Sequence, residues 1–217
     1  MIYSAAAVGV FAAQAASAAT VVGAITNPSF ETDAVGATSA STWGQTNRGT
    51  GTTSVAIVSS PGVTDGSKAV SITVTQGDVY GSVFGQGRPT GELLSVGMVN
   101  GETYRLTADF TPLISDGPQI EFGYAGANAS FSSFIERYIV ITTGSVAGVT
   151  TPVSIDFVFD STTYDANWYF EVRTGNYAET PIEFTLDNYK ISTIPEPTSF
   201  ALLGLAGSAV ALRRRRK

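Results

Sequence analysis

Between residues 19 and 193, apolar and polar residues alternate with a period of two, the pattern of strands that bury one face and wet the other. In Gly101–Phe110, Tyr104, Leu106, Ala108 and Phe110 share one face, with Arg105, Thr107 and Asp109 opposite. In Val153–Asp160, Ile155, Phe157 and Phe159 point inward while Asp156, Val158 and Asp160 point outward. In Asn167–Arg173, Trp168, Phe170 and Val172 alternate with Tyr169, Glu171 and Arg173. Further strands are predicted over 54–59, 68–75, 78–85, 92–98, 118–124, 134–142 and 181–192. The last of these changes parity, because Ile182, Phe184 and Leu186 are even whereas Tyr189 and Ile191 are odd. One extra residue at Asp187-Asn188 repairs the alternation, so a β-bulge is expected there. Asp65-Gly66, Asn100-Gly101, Asp116-Gly117 and Gly175-Asn176 supply turn chemistry. No helical period of useful length occurs between the termini. Short strands at this spacing predict an all-β fold, an antiparallel β-sandwich over residues 19–193.

Both ends break the pattern. Ile2–Ala13 is an almost uncharged apolar run, and Ala16 and Ala18 then form an A-x-A site, which predicts a signal peptide over 1–18. At the other end, Pro195-Glu196-Pro197 precedes a run from Thr198 to Leu212 without a charged residue, followed by Arg213, Arg214, Arg215, Arg216 and Lys217. The run is short for a membrane span, which takes ~20 residues at ~1.5 Å each, but snorkelling arginines extend it. The positive-inside rule places the basic cluster in the cytoplasm as a stop-transfer signal, with the body across the membrane. The prolines disfavour helix and leave 194–197 as an extended, accessible strip. Pro-Glu-Pro, apolar helix and terminal Arg cluster resemble the PEP-CTERM sorting signal of Gram-negative bacteria. The resemblance implies a sorting signal over residues 194–217, with recognition and cleavage at Pro195, Glu196 and Pro197 by an exosortase and residues 200–212 as a transient inner-membrane anchor. It also implies the secretion machinery as a partner and the cell surface or an exopolysaccharide biofilm matrix as the destination.

Charge changes the picture of possible partners. The chain holds 12 basic and 18 acidic residues, and five of the basic ones are the terminal cluster. The remaining body is strongly acidic and repels phosphate backbones, which argues against nucleic acid. Cysteine and histidine are both absent from the sequence. That excludes disulfides, Cys-based metal sites, thiol nucleophiles, His metal ligands and a Ser-His-Asp triad within this chain.

Ile25-Thr26-Asn27-Pro28-Ser29-Phe30-Glu31 near the start and Leu186-Asp187-Asn188-Tyr189 near the end resemble the opening "N-x-x-F-E" and closing "Asp-Asn" strands of galactose-binding-like jelly rolls, which include many carbohydrate-binding modules. Gly101–Phe110 is similar to their "G-x-x-Y-x-L-x-A" strand. The resemblance implies a structural calcium held by Glu31 and Asp187, where a hard cation needs six to eight oxygens. The alternative is that both carboxylates accept hydrogen bonds from turn amides. Glycan binding is the most natural activity, since sugars stack their C–H faces on aromatic rings and fix their hydroxyls on polar groups. The candidates on loops or polar faces are Trp43, Tyr80, Arg88, Tyr164 and Tyr169, with Trp168 assigned to the core by its alternation. Two other readings stand beside it. One is a purely structural surface protein without a ligand. The other is a glycan hydrolase built on Asp156 with Asp160, or Glu171 with Asp165, for which outward carboxylates are ordinarily just the wet face of a strand.

Overall fold

The computed structural model describes residues 18–46, 52–76, 83–114, 120–141, 146–174 and 182–194. The elements are β1 (Gly44–Thr46), β2 (Thr52–Val58), β3 (Ala69–Gln76), β4 (Val83–Pro89), α1 (Thr90–Ser95), β5 (Thr103–Pro112), β6 (Ile120–Ala127), β7 (Phe134–Ile141), β8 (Thr151–Val158), β9 (Asn167–Thr174) and β10 (Ile182–Thr193). They form two five-stranded sheets, ordered β1-β4-β9-β6-β7 and β2-β3-β10-β5-β8. Every pairing within them is antiparallel. Residues Thr20–Thr193 make one compact unit. The antiparallel β-sandwich expected from the alternation is the observed fold.

The alternation also predicts which side chains fill the space between the sheets. Tyr104, Leu106, Ala108 and Phe110 of β5 and Trp168, Phe170 and Val172 of β9 are all buried. Phe157 of β8 is a hub: its ring lies 5.2 Å from Tyr124, 5.6 Å from Trp168 and 5.7 Å from Phe170, joining the two sheets. Tilted aromatic pairs of this kind contribute about 0.5–1.5 kcal/mol beyond the area they bury.

The bulge in β10 is where the parity change places it. The register against β5 shifts between Asp187 and Lys190, and Asn188 takes a left-handed φ of 54°. Leu186 and Tyr189 therefore both face the core, each with no exposed surface. Because Asp187 keeps its outward position, the bulge turns one buried carboxylate toward the loop Ser59–Ser67, which crosses that sheet's outer side.

One expected strand is a helix. Residues 92–98 read as alternating because Leu94, Val96 and Met98 are apolar, but Thr90–Ser95 is α1. It buries Thr90 and Leu93 and leaves Leu94 45% exposed. Gly97, at φ 97°, ends the helix. Its N–H donates to Leu94 (3.1 Å) and that of Met98 to Leu93 (3.0 Å), closing the last carbonyls. A helix shorter than two turns carries too few repeats for its period to compete with the accidental alternation.

Candidate functional site

The structure separates the five aromatic and basic candidates. Trp43 is in the core, not on a loop surface. It is 8% exposed, its ring is stacked on Phe84 at 5.3 Å, and its indole N–H donates to the Asn27 carbonyl at 3.2 Å. Arg88 is also turned inward, 7% exposed, beside Gln86 and paired with Glu92 at 3.2 Å. Phe84, Gln86 and Arg88 are the inward row of β4, in register with the buried Val172, Phe170 and Trp168 of β9, and Trp43 packs on that row through Phe84. Tyr164 stands edge-on to buried Trp168 (5.7 Å, 88°) and packs on Gly126, at one end of the core. Tyr80 lies outside the described residues, as do Pro195, Glu196, Pro197 and Arg213, Arg214, Arg215 and Arg216.

Among the described candidates, Tyr169 alone is on an outer face. The central strand β9 presents Asn167, Tyr169, Glu171 and Arg173 outward, opposite its buried Trp168, Phe170 and Val172. The flanking strands carry almost no bulk beside them. Tyr169 pairs with Gly87 of β4 and Ala125 of β6, and Glu171 with Gly85 and Gly123. Tyr169's ring lies against Gly87, where a Cβ would be 3.1 Å from Cε1 and 3.2 Å from Cδ1. A glycine inside a strand weakens it, and here it admits a side chain from the neighbouring strand across the backbone.

The rim of this trough is β7, whose outward side carries Phe134, Glu136, Tyr138 and Val140 in register with β6. Tyr138 fits into the space beside Gly123, and its hydroxyl donates to Glu171 Oε1. The Arg173 guanidinium lies 3.6 Å from the Tyr138 ring centroid and pairs with Glu121 and, at 3.1 Å, with Glu136. Burial, and then the charge of Glu171, push the Tyr138 phenol far up, so it remains a neutral donor. Burial works against the Arg173 charge, but the carboxylates of Glu121 and Glu136 outweigh it and hold the guanidinium above its ordinary value. The result is a half-buried row of one aromatic ring, one carboxylate and one guanidinium, each braced by a neighbour. Tyr138 escaped the sequence reading although its strand was predicted. Its signal was the outward row Phe134, Glu136, Tyr138 and Val140, which shows its role only once β6 is known to be the neighbour.

Glu31 and Asp187 are both engaged by protein donors. Glu31 Oε1 accepts the N–H groups of Ser67 and Lys68, both at 2.7 Å, and Oε2 accepts the Ser67 hydroxyl at 2.8 Å. These bonds, the Ser67 amide first, hold its carboxyl below the ordinary value. Asp187, with no exposed surface, accepts the amides of Thr64 (2.6 Å), Asp65 (2.8 Å) and Asn188 (2.7 Å). Burial nonetheless pushes the Asp187 carboxyl up. Each carboxylate keeps at most one or two free lone pairs, and among the described residues no three acidic side chains converge on a point. This donor set does not fit calcium, which needs at least six oxygens pointing inward.

The carboxylate pairs weighed for hydrolysis have separate employments. Asp156 forms a two-point ion pair with Arg105 at 2.6 and 2.9 Å, Asp160 caps the turn amides of Thr162 and Thr163, and Glu171 accepts from Tyr138.

Residues 193–217 match the PEP-CTERM protein-sorting motif. Among the described residues no helix is long and apolar enough to cross a membrane, and the apolar run of that motif lies beyond them. No curated protein sequence matches the chain. Solved structures similar to the body include carbohydrate-binding modules. One, from work on the promiscuous specificity of such modules of the β-sandwich superfamily, aligns with a TM-score of 0.53 at 12% identity, covering 75% of this chain and 60% of that one. TmCBM61, solved with β-1,4-galactotriose, aligns at 0.51 and 14%, covering 78% and 97%. The C-terminal family 22 module of a Clostridium thermocellum protein aligns at 0.50 and 15%, covering 76% and 90%. At these identities the likeness is one of fold, and the body has the β-sandwich fold of carbohydrate-binding modules.

Proposed function

We propose that this protein is exported, held briefly in the inner membrane by its C-terminal segment for an exosortase-type enzyme, and then binds an extracellular glycan at the cell surface or in the matrix. The glycan site is the outer face of β4, β9 and β6. The observation that carries it is Tyr169 lying over Gly87 in a trough of glycine and alanine, with Glu171 and Arg173 following on the same strand. A pyranose stacked on the ring would find an acceptor and a donor at successive outward positions, ~6.6 Å apart along the strand. The fold of carbohydrate-binding modules supports the same reading.

The test is binding of the host's own exopolysaccharide, and of a glycan array, by the full-length protein. Tyr169→Ala is expected to weaken capture ~30-fold, the size of an ordinary hot spot. Gly87→Val, which pushes the ring from its seat without removing it, should weaken capture in the same direction. Binding by both variants equal to wild type would remove this face from consideration. Sorting is tested separately in the native host. Replacing Pro195-Glu196-Pro197 by alanines is expected to leave full-length protein in the inner membrane, and unchanged release to the surface would overturn the exosortase reading.

A second reading, a structural surface protein without a ligand, is favoured by the other sheet. Its outer side presents Ser54, Ser71, Thr73 and Thr75, a hydroxyl-rich surface without an aromatic ring among its described residues. Absence of binding to any glycan by the wild-type protein would select it.

A further inference from the structure

We infer that the ammonium of Lys68 supplies, from within the chain, the cation that the loop around Glu31 requires, so that the body closes this loop without calcium. The argument is independent of the glycan reading and begins with the loop's carbonyls. The segment Asn27–Asp33 turns twice through left-handed backbone, at Asn27 (φ 49°) and Phe30 (φ 59°). Such turns point carbonyl groups inward, and buried carbonyls need donors.

Three of them accept from other parts of the chain or from the turn itself. The Asn27 carbonyl accepts the Trp43 indole N–H at 3.2 Å. The Pro28 carbonyl accepts the N–H of Tyr189 at 3.0 Å, the residue that the β10 bulge turns toward it. The Phe30 carbonyl accepts the Asp33 N–H at 3.2 Å. The carbonyls of Glu31 and Asp33 converge on one atom, Lys68 Nζ, at 2.7 and 2.6 Å. Two carbonyl oxygens pointing at one centre from residues two apart are the kind of arrangement that collects a hard cation. Here that centre is an ammonium with three N–H directions, two of them used on these oxygens.

The grip is reciprocal. Lys68 holds the carbonyl of Glu31 with its side chain, while its own N–H and that of Ser67 hold the Glu31 carboxylate. The two segments are thereby locked at both ends of one residue. Gly66, at φ 77°, makes the approach possible, since a Cβ there would lie 2.6 Å from Glu31 Oε1. Asp33, 8% exposed, adds charge that keeps the ammonium in place, its carboxylate tied down by Asn27 and Ser41. What the lock secures is Phe30, with no exposed surface and its ring 5.2 Å from Trp43 and 6.2 Å from Phe84. A calcium ion at this centre would have to displace Lys68, and the Glu31 carboxylate would have to abandon its amides.

The experiment is thermal unfolding of the full-length protein in calcium chloride and in EDTA. Wild type is expected to melt at the same temperature in both. Lys68→Met keeps the aliphatic stem and removes the charge and its donors, and is expected to lower the Tm by ~3–10 °C. A wild-type Tm that rises with calcium or falls in EDTA would overturn the inference, and that result does not depend on whether the variant folds. A Lys68→Met protein melting with wild type would overturn it equally.

Discussion

Replacing Asp187 by alanine is expected to destabilise the protein by about 3–5 kcal/mol, because it strands several buried donors at once. The amides of Thr64, Asp65 and Asn188 all end on this carboxylate, and the Thr64 hydroxyl approaches it at 3.2 Å. Asp187 has no exposed surface, so no water replaces the lost oxygens without a cavity opening. The loss propagates through the loop 59–67, whose Asp65 also accepts the Ser29 hydroxyl at 2.6 Å. A fall in Tm of ~6–20 °C, measured by calorimetry, is the expected readout. Asp187→Asn should cost less, since its amide oxygen still accepts. The pH dependence has a definite sign. Burial raises the folded carboxyl above its ordinary 3.8, so its contribution is fully present below that value and is lost as pH rises through the folded one. The Tm advantage of wild type over Asp187→Asn should therefore shrink as pH rises upward from 3.8. An advantage that grows over that range would mean the carboxylate is stabilised rather than penalised by its site.

Gly123→Ala is the second large effect, about 3 kcal/mol from overpacking. The added Cβ would fall inside contact distance of the Arg137 carbonyl oxygen and 2.8 Å from the Tyr138 Cα and Cδ1. Two of these atoms are backbone of the paired strand and cannot rotate away. The β6–β7 ladder must part at Gly123–Tyr138, and Tyr138 then loses the seat from which it reaches Glu171 and supports Arg173. Faster hydrogen exchange confined to β7, together with weaker glycan capture, is the expected pattern. Gly148→Ala is the control: its Cβ meets nothing within 4 Å, although its φ of 78° adds local strain. Exchange in Gly123→Ala matching wild type would show that the strand absorbs the methyl group.

Reading the chain one residue at a time worked wherever a structural consequence was local. The two-residue period of β5 and β9 named buried residues correctly, and in β8 it placed Phe157 in the core and Ile155 half-buried, because a strand's pleat alternates side chains whatever its neighbours are. The parity change at Asp187-Asn188 marked the bulge for the same reason. The period failed at α1, where Leu94 and Met98 imitate a strand. It also misjudged Trp43 and Arg88, because Arg88 belongs to the inward row of β4 set by its register with β9, and Trp43 packs on that row through Phe84. Glu31 and Asp187 are expected from the sequence to hold calcium or else to accept from turn amides; the amides they accept from, those of Ser67, Lys68, Thr64 and Asp65, belong to a loop between them that no local pattern points to.

The order of the residues alone thus settles the sandwich class, the strand faces, the acidic body and the tail motif at 193–217. These follow from periodicity and composition, which act along the chain. Strand adjacency belongs to the folded sheet: that β9 lies between β4 and β6, so that Tyr169 meets Gly87 and Glu171 meets Gly123, comes from pairings between residues 82 and 48 positions apart. The same holds for Lys68, an ordinary lysine before a strand until the chain folds and sets two carbonyls against its ammonium. Pairings of that range depend on which faces bury the most surface together, and no local pattern records that.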